Sequence, residues 1–314
     1  MEPRLIFSTS PHSHTRRTTP RAMYHVLIAL LPAVVCSLWF FRLPALGVLA
    51  VSVATCMLVE LAVDRFMLRR PCTLTDGSAL LTGVLLALNL PASLPLWMVA
   101  FGAVIAIGVA KMAFGGLGCN IFNPALVGRV FLLISFPVAM TTFPLPGADG
   151  ITGPTLLTSM KLGATDPSVV GLMPLFTGDI GGSMGEVSAL ALLLGFAYLL
   201  FTRVIRWCIP VAIVAGLALV DLAAGYPVLT DILSGGLLLG AIFMATDYVT
   251  SPMTTRGMLV YGLLIGILTA VIRRWGAYPE GVSFAILIMN GFTPLIDRYI
   301  RPKRFSTRRK EATA

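Results

Sequence analysis

The 314 residues are 57% apolar and only 12% charged, and their apolar runs approach or exceed the roughly 20 residues that a membrane-crossing helix needs. This excludes a soluble globular domain. The formal charge of +9, which would suggest nucleic acid in a soluble chain, is therefore read by position relative to a bilayer, and no nucleic-acid partner is expected.

Residues 1–21 form a polar tail with Pro11, His12, His14, Arg16, Arg17 and Pro20, without the succession of charged, apolar and small residues that marks a cleaved leader. Apolar runs then predict helices over 22–41, 44–63, 77–91, 95–113 and 123–141, a first five-helix membrane repeat spanning 22–141. Residues 142–186 hold five prolines and nine glycines, which excludes a spanning helix and predicts a loop or small lobe. Further helices are expected over 187–203, 208–224, 231–247, 256–273 and 281–299, a second repeat within 187–300 followed by a basic tail, 301–314. The expected fold is an all-α polytopic membrane protein of about ten spans. An odd number of spans per half would insert the second copy upside down. A faint internal echo supports this: 76–95 and 231–252 both start polar and leave through polar residues into proline, and 111–129 and 273–298 both carry basic residues, glycines and an Asn ahead of a Pro. Broken helices are expected in both halves.

On this plan 19 of the 23 Lys and Arg residues, including Lys111 and Arg129, fall on one side, and Arg42, Lys161, Arg273 and Arg274 on the other. The bias puts both termini in the cytoplasm and the 142–186 loop outside. The five cysteines show no CxxC spacing, so no private metal or cluster site is expected, and His12, His14 and His25 read as solvated or interfacial.

Three places could carry chemistry. In the loop, the stretch from Asp149 to Thr155 presents Thr152 and Thr155 on a backbone that Gly150, Gly153 and Pro154 hold in turn geometry; a hydroxyl there can be modified, or Thr155 can simply start a bend before Leu156-Leu157. In the glycine-rich run from Gly115 to Ala125, Asn120 and Asn123 would share a face if helix begins there and could read the edge of a planar heterocycle; equally, Asn123 could cap a helix started by Pro124. Asp247 ends an apolar run in an apparently broken segment and is the candidate for an ion pathway. Glu60, Asp64, Asn89, Asp221 and Asn290 are the other polar groups near or inside spans.

These residues resemble the RnfD family, the D subunits of the Rnf (Rsx) ion-translocating electron-transport complex, which are homologous to the B subunit of the sodium-pumping NADH:quinone oxidoreductase. The resemblance rests on Ser10-Pro11-His12, Ala29-Leu30-Leu31-Pro32, the run from Asp76 to Gly83, the glycine-rich run 115–125 and Met244-Ala245-Thr246-Asp247. Most specific is the family's flavin-attachment pattern: Asp, two variable residues, Ser or Thr, Gly, usually Ala, then Thr. Here it reads Asp149 to Thr155, with Pro154 in the place of alanine. The resemblance implies an FMN joined to Thr155 by a phosphoester, installed outside the cytoplasm by a flavin transferase using FAD, with Asp149, Thr152 and Gly153 as parts of the recognised pattern. It also implies a non-covalent riboflavin in the membrane part near Asn120 and Asn123. The partners it implies are the A, B, C, E and G subunits, above all the extracytoplasmic flavoprotein, the G subunit. Ferredoxin and NAD would react on partners, and the complex would move Na+ or H+ across a bacterial inner membrane. No catalytic residue and no metal are expected in this chain. The competing reading is an inverted-repeat secondary transporter or channel without a redox cofactor.

Overall fold

The computed structural model describes residues 18–69, 73–144, 152–153, 155–161, 172–178, 181–276, 278 and 280–301; Asp149 and Pro154 of the threonine motif, with His12, His14 and Cys72, lie outside them. The described chain is mostly helical. Helix α1 (Thr19–Ala62) opens with Pro20 in its first turn, where a missing N–H costs nothing, and runs through a π turn to Leu68. A straight helix of these 50 residues would measure about 75 Å, more than twice the apolar thickness of a bilayer. The backbone breaks instead at Arg42, whose φ of 51° is far from helical, two residues before Pro44. The break separates the two runs expected at 22–41 and 44–63.

Helix α2 (Ser78–Leu88) is shorter than the expected 77–91, at 11 residues or about 16 Å. Helix α3 (Leu96–Val104) extends through a π turn, Ile105–Val109, and a 3-10 turn, Met112–Phe114. The run expected at 123–141 divides into α4 (Pro124–Ser135) and α5 (Pro137–Thr141), where Pro137 cannot continue the hydrogen-bond ladder. Strands β1 (Phe143–Pro144) and β2 (Thr152–Gly153) pair antiparallel, Phe143 opposite Gly153 and Pro144 opposite Thr152. Gly153 is thus extended rather than in a turn, because its neighbouring backbone groups find partners across this bridge. Two short helices follow, α6 (Leu156–Lys161) and α7 (Leu172–Thr177).

Helices α8 (Ala189–Phe201) and α9 (Cys208–Ala224) lie inside the expected 187–203 and 208–224. Where one helix is expected at 231–247, the chain forms α10 (Val228–Leu233), then an interruption at Ser234, Gly235 and Gly236, then α11 (Leu237–Leu239) running into a π turn, Gly240–Met244. Helices α12 (Thr255–Trp275) and α13 (Val282–Tyr299) complete the chain. Thr19–Leu68, Leu96–Phe114 and Thr255–Trp275 are long and apolar enough to cross a membrane, and α2, α4, α8 and α9 are shorter apolar helices.

The polarity is that of a protein solvated by lipid. Large apolar side chains such as Trp39, Leu43, Leu222 and Phe201 point outward, while Glu60, Lys111, Arg129, Asp221, Asp231 and Arg273 are buried. Helix α1 packs on α2 and α8, and the most extensive contact joins α9 to α12. At that crossing a Cβ on Gly266 would lie 2.2 Å from the Ile213 carbonyl oxygen, and one on Gly216 2.4 Å from that of Leu263. Only glycine permits this approach, which supplies the van der Waals contact that drives helix association in lipid. Gly266→Leu is therefore expected to destabilise the folded chain by at least about 1–3 kcal/mol, measured as a lower midpoint of unfolding in mixed micelles. Leu219→Ala, at an outward position, should leave the midpoint nearly unchanged.

Candidate functional site

One cavity gathers the polar residues of two non-helical segments. Its lining includes Asn120, Asn123 and Asp247 together with Ser78, Lys111 and Thr246, over apolar walls that include Val26, Leu85 and Phe243. Its volume is about 70 Å³, room for a few water molecules. The glycine run ends in a cap: Asn123 accepts hydrogen bonds from the N–H groups of Ala125 (3.1 Å) and Leu126 (3.5 Å), with Pro124 as the first helical residue. Its amide nitrogen donates to the Met244 carbonyl at 3.3 Å, tying the start of α4 to the end of the 240–244 turn. Asn120 precedes that helix, so the two amides do not share a helical face; they converge through the turn between them. Asn120 donates to the Phe122 carbonyl (3.1 Å) and its side chain hydrogen-bonds the carboxylate of Asp247. Of the two asparagines, Asn123 spends its oxygen on the cap.

At the edge of this cavity, Lys111 reaches Glu60 Oε2 at 2.6 Å and Ser78 Oγ at 2.8 Å. Thr73 Oγ1 stands 2.8 Å from both Glu60 Oε1 and Asp64 Oδ2. These acids flank the end of α1, and Lys111 follows the end of α3. A second cluster joins α9, α10 and α12. There Arg274 pairs with Asp221 (2.9 Å) and Asp231, and lies 3.6 Å over the ring of Tyr226. Arg273 donates to the carbonyls of Asp231 (2.6 Å), Ser234 (3.0 Å) and Gly235 (3.3 Å). It thereby satisfies carbonyls that the interruption after α10 leaves without helical partners.

A third cluster is centred on Arg129 of α4. The guanidinium donates to Asn89 Oδ1 at 2.9 Å, just past the end of α2, and pairs with Glu280 at 2.5 Å and Glu186 at 3.7 Å. The chain around Glu186 also closes the end of α2: the N–H groups of Gly185 and Met184 donate to the carbonyls of Leu88 (2.7 Å) and Leu90 (3.2 Å). Asn290 and Tyr261, both buried, are linked at 2.6 Å.

Thr155 lies elsewhere, immediately before α6. Its Oγ1 is 2.8 Å from Thr158 Oγ1 and accepts from the Thr158 N–H at 3.3 Å, so the residue caps α6, and it is only 4% exposed. It lines a small cavity with Glu186, Ser234 and the glycines 181, 182 and 235. A neighbouring cavity of about 170 Å³ shares Leu157 and presents Lys161, Arg273 and Arg274. Asp149 cannot be set against this geometry, since it lies outside the described residues, and Gly153 enters through the β bridge.

Sequence reasoning missed Arg129, Glu186, Glu280 and Asp231 as buried groups. It counted Lys111, Arg129, Arg273 and Arg274 as flags of membrane orientation, yet all four are committed to internal partners. The usable signal was the isolation of Arg129 in an otherwise apolar helix, where a charge is costly without an acid beside it.

Apolar helices facing outward, interrupted segments lined by polar groups, and charges paired in the interior define a helical membrane protein whose interior is built for polar chemistry. The chain belongs to the NQR2, RnfD, RnfE family, whose model matches residues 6–306. It is 43% identical to the D subunit of the Na(+)-translocating ferredoxin:NAD(+) oxidoreductase complex of Acetobacterium woodii, over 99% of this chain and 98% of that one. It is 41% identical to the D subunit of the proton-translocating ferredoxin:NAD(+) oxidoreductase complex of Clostridium ljungdahlii, over 96% of each. To the D subunit of the ion-translocating oxidoreductase complex of Stutzerimonas stutzeri it is 41% identical, over 92% of this chain and 93% of the relative.

Removing one partner of a buried ion pair strands the other. Lys111→Met should cost about 3–5 kcal/mol of stability, and the double change Lys111→Met with Glu60→Gln should recover part of it; unfolding midpoints of both purified variants test this.

Proposed function

We propose that this chain is the membrane flavin-carrying subunit of an Rnf-type ion-translocating oxidoreductase complex, one part of a translocase whose ferredoxin and NAD reactions occur on partner subunits. The observation that carries the reading is similarity along almost the whole chain to relatives named as the D subunit of such complexes. FMN would be attached through a phosphoester to the hydroxyl of Thr155, within the pattern that begins at Asp149 and includes Thr152 and Gly153. A non-covalent flavin, riboflavin by the family resemblance, would occupy the cavity of Asn120, Asn123 and Asp247. The flavins would supply electron carriage, in one- or two-electron steps.

The side chains present suit these groups, and the membrane cavity, at about 70 Å³, must widen to admit a flavin ring. In the larger cavity, Asn120 and Lys111 offer donors to the polar edge of a planar ring, and Phe243 and Leu85 offer apolar walls. Beside Thr155, Lys161, Arg273 and Arg274 line the adjoining space together with Asp231, which already pairs with Arg274, so an anion there would draw chiefly on Lys161. Attachment has a local cost, because the Thr155 oxygen must leave its bond to Thr158 and turn outward for an enzyme to reach it. A neutral threonine is a weak nucleophile, so a separate flavin transferase suits the chemistry.

The proposed architecture is two inverted five-helix repeats, 22–141 and 187–300, around the loop 142–186, with a cytoplasmic tail at each end and Thr155 outside, in a bacterial inner membrane. Supporting it, the Glu60–Lys111–Ser78 cluster joins the second, third and fourth expected helices of the first half, and Asp221–Asp231–Arg274 joins the second and third of the second half to the residue that follows the fourth. Asp247, hydrogen-bonded by Asn120, remains the candidate for an ion pathway of Na+ or H+. The A, B, C, E and G subunits would complete the electron path, with the extracytoplasmic flavoprotein among them, the G subunit, facing Thr155.

Thr155→Val, expressed with a flavin transferase, should abolish flavin fluorescence on a denaturing gel while the protein still inserts; undiminished covalent flavin would reject Thr155. Asn120→Leu should lower the flavin released by denaturing the purified chain several-fold, and an unchanged content would remove Asn120 from the site. A chain that carries no flavin in either form would return the transporter reading.

A further inference from the structure

Three arginines and four acids meet where α4, α9, α10 and α12 approach the segments 181–187 and 280–281. The arginines are Arg129, Arg273 and Arg274, and the acids Asp221, Asp231, Glu186 and Glu280. Lys161 is exposed and donates to the Gly276 carbonyl, so it serves as a solvated neighbour. Arg274 pairs with both aspartates and Arg273 faces Asp231 more strongly than any other acid, so two arginines stand against two acids, although Asp221 and Asp231 also face each other and each keeps one buried oxygen without a hydrogen-bond partner among the described residues. Among the described residues the two glutamates share Arg129 as their one ion-pair partner, and Glu186 Oε2 also accepts from the Ser183 N–H at 3.4 Å. With side chains of Arg129, Glu186 and Glu280 only 5%, 7% and 12% exposed, one negative charge is left over in an apolar surrounding. Burying such a charge without a partner is costly enough that the group takes up a proton instead.

The geometry locates the surplus. Glu280 holds Arg129 at 2.5 Å, whereas Glu186 Oε1 stands 3.7 Å away and, among the described residues, is a buried oxygen with no hydrogen-bond partner. It is pressed against the backbone of Gly236, where an added Cβ would lie 2.4 Å from it. Glu186 also lines the small cavity beside Thr155, whose volume of about 20 Å³ admits one water molecule. In the connection ahead of α13, burial and then the charge of Glu186 push Glu280 up to about 7, against the pull of Arg129 and Arg273.

We propose that Glu186 and Glu280 hold one proton between them around Arg129, in a buried site that opens on the cavity of Thr155. The proton belongs to the pair, as in any two acids too close to ionise independently. Its uptake converts one carboxylate to a carboxyl group and leaves the other to neutralise Arg129. Because Asn89 and Gly185 tie the same cluster to the end of α2, and Gly236 ties it to the start of α11, gain or loss of this proton changes the charge at a junction of both halves of the chain. The site goes beyond the flavin reading and stands without it.

Dicyclohexylcarbodiimide, which reacts with protonated carboxyl groups in apolar surroundings, tests this on the unmutated full chain in lipid nanodiscs with peptide mass mapping. Labelling is expected on Glu186 or Glu280 and should fade in a single step as the pH rises through neutrality. Glu186→Gln should abolish labelling at Glu280, and Glu280→Gln labelling at Glu186, because one remaining acid is fully matched by Arg129. The chain produced without a flavin transferase should label like the chain produced with one, which separates failure of the flavin reading from failure of this one. Any of three results would overturn the shared proton: no label on either glutamate, a label on Glu280 unaffected by Glu186→Gln, or protection by Na+ but not K+.

Discussion

The constraint on which this structure depends is that a backbone or a charge surrounded by lipid has no water to turn to. Every interruption of a helix must then be answered from within the chain. Arg273 answers the break after α10 by binding three carbonyls, Asn123 caps α4 and reaches across to Met244, and the Met184–Gly185 backbone closes the end of α2. Each repair brings a polar group into the interior, and each of those needs a partner in turn. Buried ionic clusters at both ends of the broken helices are the result. Their net worth in stability is small, but losing one member is expensive, which fixes the pairs once they exist.

The same interruptions create the places where chemistry is possible. Between the glycine run and the segment after Met244, non-helical backbone leaves room for a cavity whose polar edge is Asn120, Lys111 and Asp247. Near the start of α6, the break at Ser234 to Gly236 leaves a smaller space shared by Thr155 and Glu186. Continuous apolar helices such as α9 and α12 separate and support these regions through close glycine packing. In the proposed function the cavities hold the electron carriers and the ionic clusters between them respond to charge. The protein's share of the work is to fix positions and fields rather than to perform bond chemistry.

Much of the helical plan was legible because apolar run length and proline positions act locally. Pro44 after Arg42 and Pro124 after Asn123 mark boundaries seen in the structure, whereas the break at Pro137 falls inside the run expected at 123–141. The limits of short elements were less legible: α2 ends at Leu88, ahead of Pro91, and residues 184–185, nearly a hundred positions away, donate to the carbonyls of Leu88 and Leu90. The charges were misread for the same reason. Nothing within a few residues of Arg129 announces Glu186 or Glu280, so a tally by membrane side treated it as an orientation marker. At the candidate sites, the geometry was not readable. Asn120 and Asn123 do meet in one cavity, but through a turn, and Thr155 is a buried helix cap whose modification requires it to move.

The central claim is that this chain carries a flavin on Thr155, and peptide mass mapping tests it most directly. The full chain, produced with an active flavin transferase, would be digested and the fragment containing Thr155 sequenced by mass. The account predicts the added mass of FMN, less water, on Thr155 itself. An unmodified Thr155 fragment, with the transferase active on a control substrate, would contradict it.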